Sequence, residues 1–203
     1  MILGNSITGM EAMLDEDFDL VYAPHIRDLS SQHWTPIKVA SKAADFLGYK
    51  GNVKVLDVGS GVGKFCLVGA LLKSTSFFYG VDYRKKFTEI SDEIKDNYRI
   101  KNVYFIHKNF VSLDFNYFDG IYFFNSFHEK IDKDSVIDSF SDVSYDIYKR
   151  YTQEFFLKLN NMPEGTRLVT YHTEDIYIPH TYRIVDMCFE GKLKFYIKCF
   201  DEE

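Results

Sequence analysis

Hydrophobic and polar positions follow two different patterns along this chain. Apolar residues recur at helical spacing over 37–47 and again over 85–98, whereas 53–58, 77–81 and 103–107 are short, nearly continuous apolar runs. Short apolar runs that alternate with amphipathic helices are typical of buried parallel strands joined by right-handed crossovers. The pattern therefore predicts an α/β fold.

Turn and cap residues locate the ends of several elements. Thr35-Pro36 predicts an N-cap and first helical residue, and Gly48 predicts the end of that helix. Glu190-Gly191 predicts a two-residue turn, and hence an antiparallel hairpin at the end of the chain. The other predicted elements are helices over 64–73 and about 145–159, strands over 120–124 and 166–172, and hairpin strands over 183–189 and 192–200.

The turn after the first strand carries the most informative motif, Val58-Gly59-Ser60-Gly61-Val62-Gly63. Glycines permit a sharp strand-to-helix turn with positive φ and let a ligand approach bare main chain. A P-loop needs a glycine in place of Val58 and a hydroxyl in place of Phe65, and a dinucleotide motif needs its third glycine one residue after Gly63. Asp57 would repel a pyrophosphate but hold a cationic amino-acid group, directly or through water. A ligand with an ammonium and a sulfonium fits better than one with phosphates.

This motif resembles the first motif of class I S-adenosylmethionine (SAM) dependent methyltransferases, an apolar strand, an acid and GxGxG, as in Leu56-Asp57-Val58-Gly59-Ser60-Gly61-Val62-Gly63. The resemblance extends from about Val53 to Phe200. It implies a doubly wound, mostly parallel seven-stranded sheet with a C-terminal antiparallel hairpin and helices on both faces. It also implies SAM as the methyl donor, bound by a domain over 34–203 that follows an acidic segment or lid over 1–33.

Residues after the next two strands complete the cofactor site that the resemblance implies. Asp82 matches the acid that binds both ribose hydroxyls, and Tyr83 is placed on the adenine face. Asn109 is placed on the adenine amino group and Phe110 against the ring. Asp82 is equally suited to cap the helix near Lys85, Tyr83 to lie on the surface, and Asn109 to form a turn. The predicted cofactor-binding residues are Asp57, Gly59, Ser60, Gly61, Gly63, Asp82, Tyr83, Asn109, Phe110 and Asn125.

Similar enzymes place the segment after the fourth strand, here Asn125-Ser126-Phe127-His128-Glu129, against the transferred methyl group. Methyl transfer from a sulfonium needs alignment and loss of water, and a base only when the acceptor arrives protonated. Asn125 and His128 are the predicted catalytic residues. His128 and Glu129 are the best candidates for a base, since histidine titrates near neutral pH. A capping or surface role for His128 and an exposed first-turn role for Glu129 are the alternatives. Asn125 resembles the start of an (Asp/Asn)-Pro-Pro-aromatic motif, but both prolines are missing, which argues against an amino-group acceptor.

Two further segments are candidates for contact with ligand or acceptor. His33 and Trp34 precede the first long helix. The prediction for this pair is that it closes over the ligand, and the alternative is that Trp34 fills a place in the core. Tyr171-His172-Thr173-Glu174 follows the fifth strand and is expected on the same rim, as a wall of the acceptor site. Cys66 falls in an apolar helix and is expected in the core.

Composition narrows the class of protein. The chain has 203 residues, 46% of them hydrophobic, which suits one domain with a substantial core. Its formal net charge of −6 disfavours a nucleic-acid partner. Three cysteines without CxxC spacing and scattered histidines predict no metal site, and reduced thiols in the cytoplasm. No secretory signal and no apolar stretch of the ~20 residues that a membrane span needs is found, so no membrane partner is expected.

The acceptor and the oligomeric state are left open by the sequence. A small molecule is one acceptor class and a protein side chain another; the Asn-Ser-Phe loop also resembles that of histone lysine methyltransferases without a SET domain, which implies lysine as a further option. One alternative function is a non-catalytic SAM- or nucleotide-binding module that engages a protein partner. Another is a dinucleotide-dependent oxidoreductase, which the glycine spacing disfavours.

Overall fold

Seven strands form a single sheet in a computed structural model that describes residues 13–125 and 144–200. The strands are β1 Lys54–Val58, β2 Phe77–Asp82, β3 Val103–His107, β4 Gly120–Phe123, β5 Arg167–Tyr171, β6 Tyr182–Cys188 and β7 Leu193–Lys198. The described helices are α1 Asp15–Phe18, α2 Pro24–Arg27, α3 Ser30–His33, α4 Ile37–Leu47, α5 Lys64–Leu72, α6 Lys85–Asn97 and α7 Tyr145–Asn160.

The strand order is β3-β2-β1-β4-β5-β7-β6. Strands β1 to β5 pair in parallel, and β7 pairs antiparallel with both β5 and β6. The order reverses between β1 and β4, and ligands of doubly wound sheets bind where the carboxyl ends of the strands flank such a switch point. The predicted fold class is confirmed, including the C-terminal antiparallel pair.

Helices pack on both faces because side chains of a buried strand alternate between them. Val55 of β1 joins a core with side chains of α4, α5 and α6, which we call the first core. Leu56 joins a core on the opposite face with Phe155 and Leu159 of α7, which we call the second core. Both strand faces are apolar, as expected for a parallel sheet covered on each side.

Two predicted details are wrong. Helix α4 begins at Ile37 with Pro36 as its N-cap, and the Thr35 hydroxyl lies 3.0 Å from the hydroxyl of Tyr122 instead of capping the helix. The loop of the C-terminal hairpin spans four residues, 189–192, instead of two. Three consecutive residues, 189 to 191, adopt positive φ there, so the chain reverses through a wider turn than Glu190-Gly191 alone would make.

Candidate cofactor and methyl-transfer site

The glycine-rich loop leaves β1 in a conformation that suits glycine. Gly59, Gly61 and Gly63 have φ values of +77°, +54° and +78°, in the left-handed region that other residues adopt at a cost. Gly63 is the N-cap of α5, and its amide donates to the Ser60 carbonyl at 2.9 Å. Gly59 is exposed whereas residues 60–63 are buried, so the loop presents its first glycine to solvent.

Ser60 carries an unsatisfied hydroxyl inside this loop. Its Oγ is buried and has no hydrogen-bond partner among the described residues. A Cβ on Gly80 of β2 would lie 2.7 Å from that Oγ, so glycine at residue 80 provides the space for it. A buried polar atom without a partner costs about 1–3 kcal/mol, and a polar ligand on the loop would remove that cost.

The carboxylate of Asp82 joins the ends of β1 and β2. Its Oδ2 accepts from the amide of Gly61 at 3.0 Å and its Oδ1 accepts from the amide of Arg84 at 2.8 Å. The Arg84 guanidinium lies 3.8 Å from Oδ1 and 4.5 Å from the ring centroid of Tyr83. Asp82 is buried, whereas Tyr83 is partly exposed. The acid predicted for the ribose is therefore in direct contact with the glycine-rich loop.

Asp57 is directed into the first core. The Sγ of Cys66 lies 3.7 Å from its Oδ2 and donates to it. Burial raises the pKa of Asp57 from 3.8 to about 8; the hydrogen bond from Cys66 lowers it and the charge of Asp82 raises it further. At neutral pH much of this carboxyl group is protonated. This carboxyl group contacts Cys66 of α5, and its predicted role toward a cofactor stays a prediction.

Asn109 and Phe110 make contacts within the protein. The Oδ1 of Asn109 accepts from the amide of Val111 at 3.1 Å, and its Nδ2 donates to the Tyr151 hydroxyl at 2.6 Å. Phe110 is buried in the second core, with its ring 5.4 Å from that of Tyr151 and edge-on to it. The structure thus places both residues at the end of β3, as predicted, and adds a contact with α7.

Strained backbone and aromatic rings meet at the ends of β4 and β5. Asn125 and His172 adopt φ values of +34° and +52°, and non-glycine residues in this region cluster at functional sites. Ring centroids of Phe124 and Tyr171 are 4.8 Å apart, and those of Tyr171 and His172 are 4.4 Å apart. Burial lowers the pKa of His172, and Lys192 lowers it further. His128 and Glu129 lie outside the described residues.

Residues 13–35, which contain the described part of the predicted N-terminal segment and the start of the predicted domain, pack on the glycine-rich loop. Trp34 lies against Gly61, since a Cβ at residue 61 would be 2.6 Å from its Cζ3. The Tyr22 hydroxyl donates to the carbonyl of Val62 at 3.3 Å. Of the two roles predicted for Trp34, packing in the core is what the structure describes, and that packing is directly against the loop.

Lys64 is a residue that sequence reasoning missed. Its side chain is 2% exposed, and its Nζ lies 2.7 Å from Oδ1 of Asp15 and 2.7 Å from Oδ1 of Asp19. Ser30 donates to the other oxygen of Asp19. A lysine that directly follows the glycine motif in an otherwise apolar helix, with surplus acids upstream, was the available signal. The acids of the N-terminal segment therefore neutralise a buried cation at the start of α5.

The family model for a methyltransferase domain matches residues 49–173. This range contains the glycine-rich loop, Asp82 and the ends of β4 and β5. This match, together with the fold, identifies a SAM-dependent methyltransferase. The chain belongs to the methyltransferase-domain family.

Solved structures of methyltransferases share the fold. An RNA methyltransferase from Salinibacter ruber in complex with S-adenosyl-L-homocysteine matches with a TM-score of 0.53 at 15% identity, over 83% of this chain and 94% of that one. A SAM-dependent O-methyltransferase from Thermotoga maritima matches with a TM-score of 0.55 at 15% identity, over 89% of this chain and 73% of that one. No curated protein sequence matches the chain.

The residues present fit SAM. The positive-φ glycine loop exposes Gly59, Ser60 supplies an unpaired hydroxyl, and Asp82 supplies a carboxylate at the neighbouring strand end. Within residues 13–125 and 144–200, no group of three His, Cys, Asp or Glu side chains is placed to hold a metal ion. None of the helices described there is long and apolar enough to cross a membrane.

Proposed function

We propose that main chain at residues 59–63 and the Ser60 hydroxyl hold the methionine end of SAM, while Asp82 accepts from its ribose hydroxyls. The observation that carries this proposal is the 3.0 Å contact of Asp82 with the Gly61 amide, which brings the acid to the loop. SAM supplies an electrophilic methyl group on a sulfonium. The protein's task is to bind, align and exclude water.

Adenine recognition is assigned to three residues beyond the ends of β2 and β3. Tyr83 is partly exposed and lies next to Asp82, which supports a position over the adenine face. Asn109 Oδ1 accepts one hydrogen bond from Val111, and an amide oxygen has a second lone pair for the adenine amino group. Phe110 packs behind Asn109 and fixes the position of that strand end.

The N-terminal segment acts as a lid over the cofactor. Its contacts fall on Gly61, Val62 and Lys64, within the loop proposed to bind SAM and at the first residue of the helix that follows. Two of its acids, the half-exposed Asp15 and the buried Asp19, are paired with the buried Lys64, so closure brings opposite charges together at this contact. Loss of water from the site is what methyl transfer from a sulfonium requires.

The acceptor is a small molecule bound against Phe124, Tyr171 and His172, with Asn125 aligning it and His128 removing a proton where one is present. The rings lie at the ends of β4 and β5, next to the strained Asn125. A formal net charge of −6 supports a small molecule over a nucleic acid.

The three free cysteines support a reducing compartment such as the cytoplasm.

Calorimetric titration with SAM and S-adenosylhomocysteine tests the cofactor site. The wild type is expected to bind both, and Gly61→Trp neither, because the new ring would occupy the place of Trp34 and the loop surface. Gly165→Ala is the matched control, since residue 165 also has positive φ but open space around it. A screen of small acceptors then measures the release of S-adenosylhomocysteine. Repeating it with Asn125→Ala and with His128→Ala tests the catalytic roles. Full activity in both variants would refute those roles.

A further inference from the structure

Strand β6 exposes apolar side chains at the outer edge of the sheet. Ile184, Val185 and Met187 are 44%, 51% and 54% exposed. Among the strands that the structure describes, β6 pairs with β7 alone. Natural edge strands are normally protected by charges or a covering element, because an apolar strand with one unpaired side promotes association. Besides these apolar side chains the strand carries two exposed charged residues, Arg183 and Asp186, which restrict the partners that this edge can accept.

The register with β7 sorts the exposed side chains of β6 onto two faces. Ile184 is opposite Tyr196, which belongs to the second core, whereas Asp186 is opposite Phe195 of the first core. Cross-strand partners share a face of the sheet. The face of the second core carries Ile184 and Met187, and the face of the first core carries Arg183 and Asp186.

Arg183 and Asp186 make the strand complementary to itself. Both residues are exposed, carry opposite charges and lie on the same face. If two β6 strands pair antiparallel about a two-fold axis between residues 184 and 185, Arg183 of each copy is directly opposite Asp186 of the other. The same register brings Ile184 of each copy opposite Val185 of the other. Charge and apolar surface are therefore both matched in one register.

The irregularity in β6 favours the same partner. Its register with β7 shifts between Ile184 and Asp186, which marks a bulge at Val185. A bulge discourages pairing of an edge with a regular strand. A second copy carries the same bulge at the same place, so two copies match where an unrelated strand does not.

We propose that β6 is a dimerisation strand, and that two copies of this chain join into one continuous sheet through antiparallel β6 pairing. Strand β6 stands at the end of the sheet beyond β7 and β5, so it is separated from the loop at β1 and β2. The dimer leaves both cofactor loops accessible. The proposal does not depend on the identity of the acceptor.

Sedimentation velocity across a concentration series tests the dimer. The wild type is expected at twice the chain mass of 23.8 kDa. Arg183→Asp alone and Asp186→Arg alone are expected to weaken association by at least about tenfold, because each puts like charges opposite each other at two places. The double variant Arg183→Asp/Asp186→Arg restores the opposite charges and is expected to restore the dimer.

Ile176→Lys is the matched control, because residue 176 is 73% exposed and apolar but lies outside β6. Its association is expected to equal that of the wild type. Thermal unfolding of every variant shows that the fold is kept. A wild type that remains monomeric at the highest concentration overturns the proposal, as does a dimer that single charge reversals leave intact or that the double variant fails to restore.

Discussion

The indole ring of Trp34 lies on Gly61, so that a Cβ at residue 61 would stand 2.6 Å from its Cζ3. The indole N–H donates a hydrogen bond to the Ile26 carbonyl at 3.1 Å. The ring also packs edge-on against Phe87, with the ring centroids 5.7 Å apart. Glycine at residue 61 therefore serves two purposes: its lack of a side chain makes room for Trp34, and it tolerates the positive φ of the loop.

Gly61→Ala tests this contact. The added Cβ must displace Trp34, and alanine at a φ of +54° adds about 1–2 kcal/mol of backbone strain. We expect a lower melting temperature and weaker binding of S-adenosylhomocysteine in calorimetry. Residue 165 has a φ of +79° and open space around it. Gly165→Ala is therefore expected to lose only the stability that backbone strain costs, and to keep the affinity for S-adenosylhomocysteine. Equal losses in the two variants would show that Trp34 does not restrict residue 61.

Lys64→Met tests how the lid is held. Removal of the ammonium leaves Asp15 and Asp19 near each other without their cation, and breaking a buried ion pair costs about 3–5 kcal/mol. Because Asp15 is half exposed, we expect a loss nearer about 2–3 kcal/mol. Trypsin should then cut after Arg27 faster than in the wild type.

Lys73→Met is the control for that experiment, because Lys73 pairs with Asp45 at 2.6 Å but both side chains are partly exposed. It is expected to leave the stability nearly unchanged and the cleavage after Arg27 as in the wild type. If both lysine variants are cut at the wild-type rate, the ion pairs do not hold the lid.

Asp82→Ala tests the proposed ribose contact. Hydrogen bonds to charged groups contribute about 1.5–3 kcal/mol, so the affinity for S-adenosylhomocysteine is expected to fall about tenfold to hundredfold. Asp114→Ala is a suitable control, since that exposed carboxylate accepts from Asn116 on the surface. Calorimetry gives the affinities, and chemical unfolding shows whether the fold is kept. Unchanged affinity in folded Asp82→Ala would exclude the assigned role.

Much of the fold could be predicted because its determinants are local. Strand β3 was predicted with its observed bounds, 103–107, from a short apolar run, although it lies at the edge of the sheet with Tyr104 and His107 exposed. Helix α6 was predicted within one residue of its end from the spacing of its apolar side chains. The glycine motif located the loop, because the turn itself requires left-handed backbone.

Contacts between distant segments could not be predicted from local pattern. Thr35 has the properties of an N-cap, but its hydroxyl pairs with Tyr122, 87 positions away. Asn109 has the properties of a turn residue or an adenine ligand, and its amide also reaches Tyr151 of α7. The lysine at position 64 and the acids at 15 and 19 are each ordinary surface residues by sequence, and only the packing of residues 13–35 on the glycine-rich loop brings them together.

Asp57 predicts a pH dependence of stability. Its pKa is raised by burial to about 8, so the folded state binds a proton more tightly than the unfolded state does. The stabilisation is complete below the unfolded pKa near 4 and is lost as the pH rises through about 8. Urea unfolding from pH 5 to 9 should show a falling free energy of unfolding in the wild type and a flatter one in Asp57→Asn. Parallel curves would contradict a proton on Asp57.

The structure of a complex with S-adenosylhomocysteine tests the central claim most directly. We expect the amino-acid end of the ligand along the main chain of residues 59–63, with the Ser60 hydroxyl hydrogen-bonded to it and both ribose hydroxyls donating to Asp82. Density for the ligand at another place on the sheet, or a ribose that does not reach Asp82, would contradict the account.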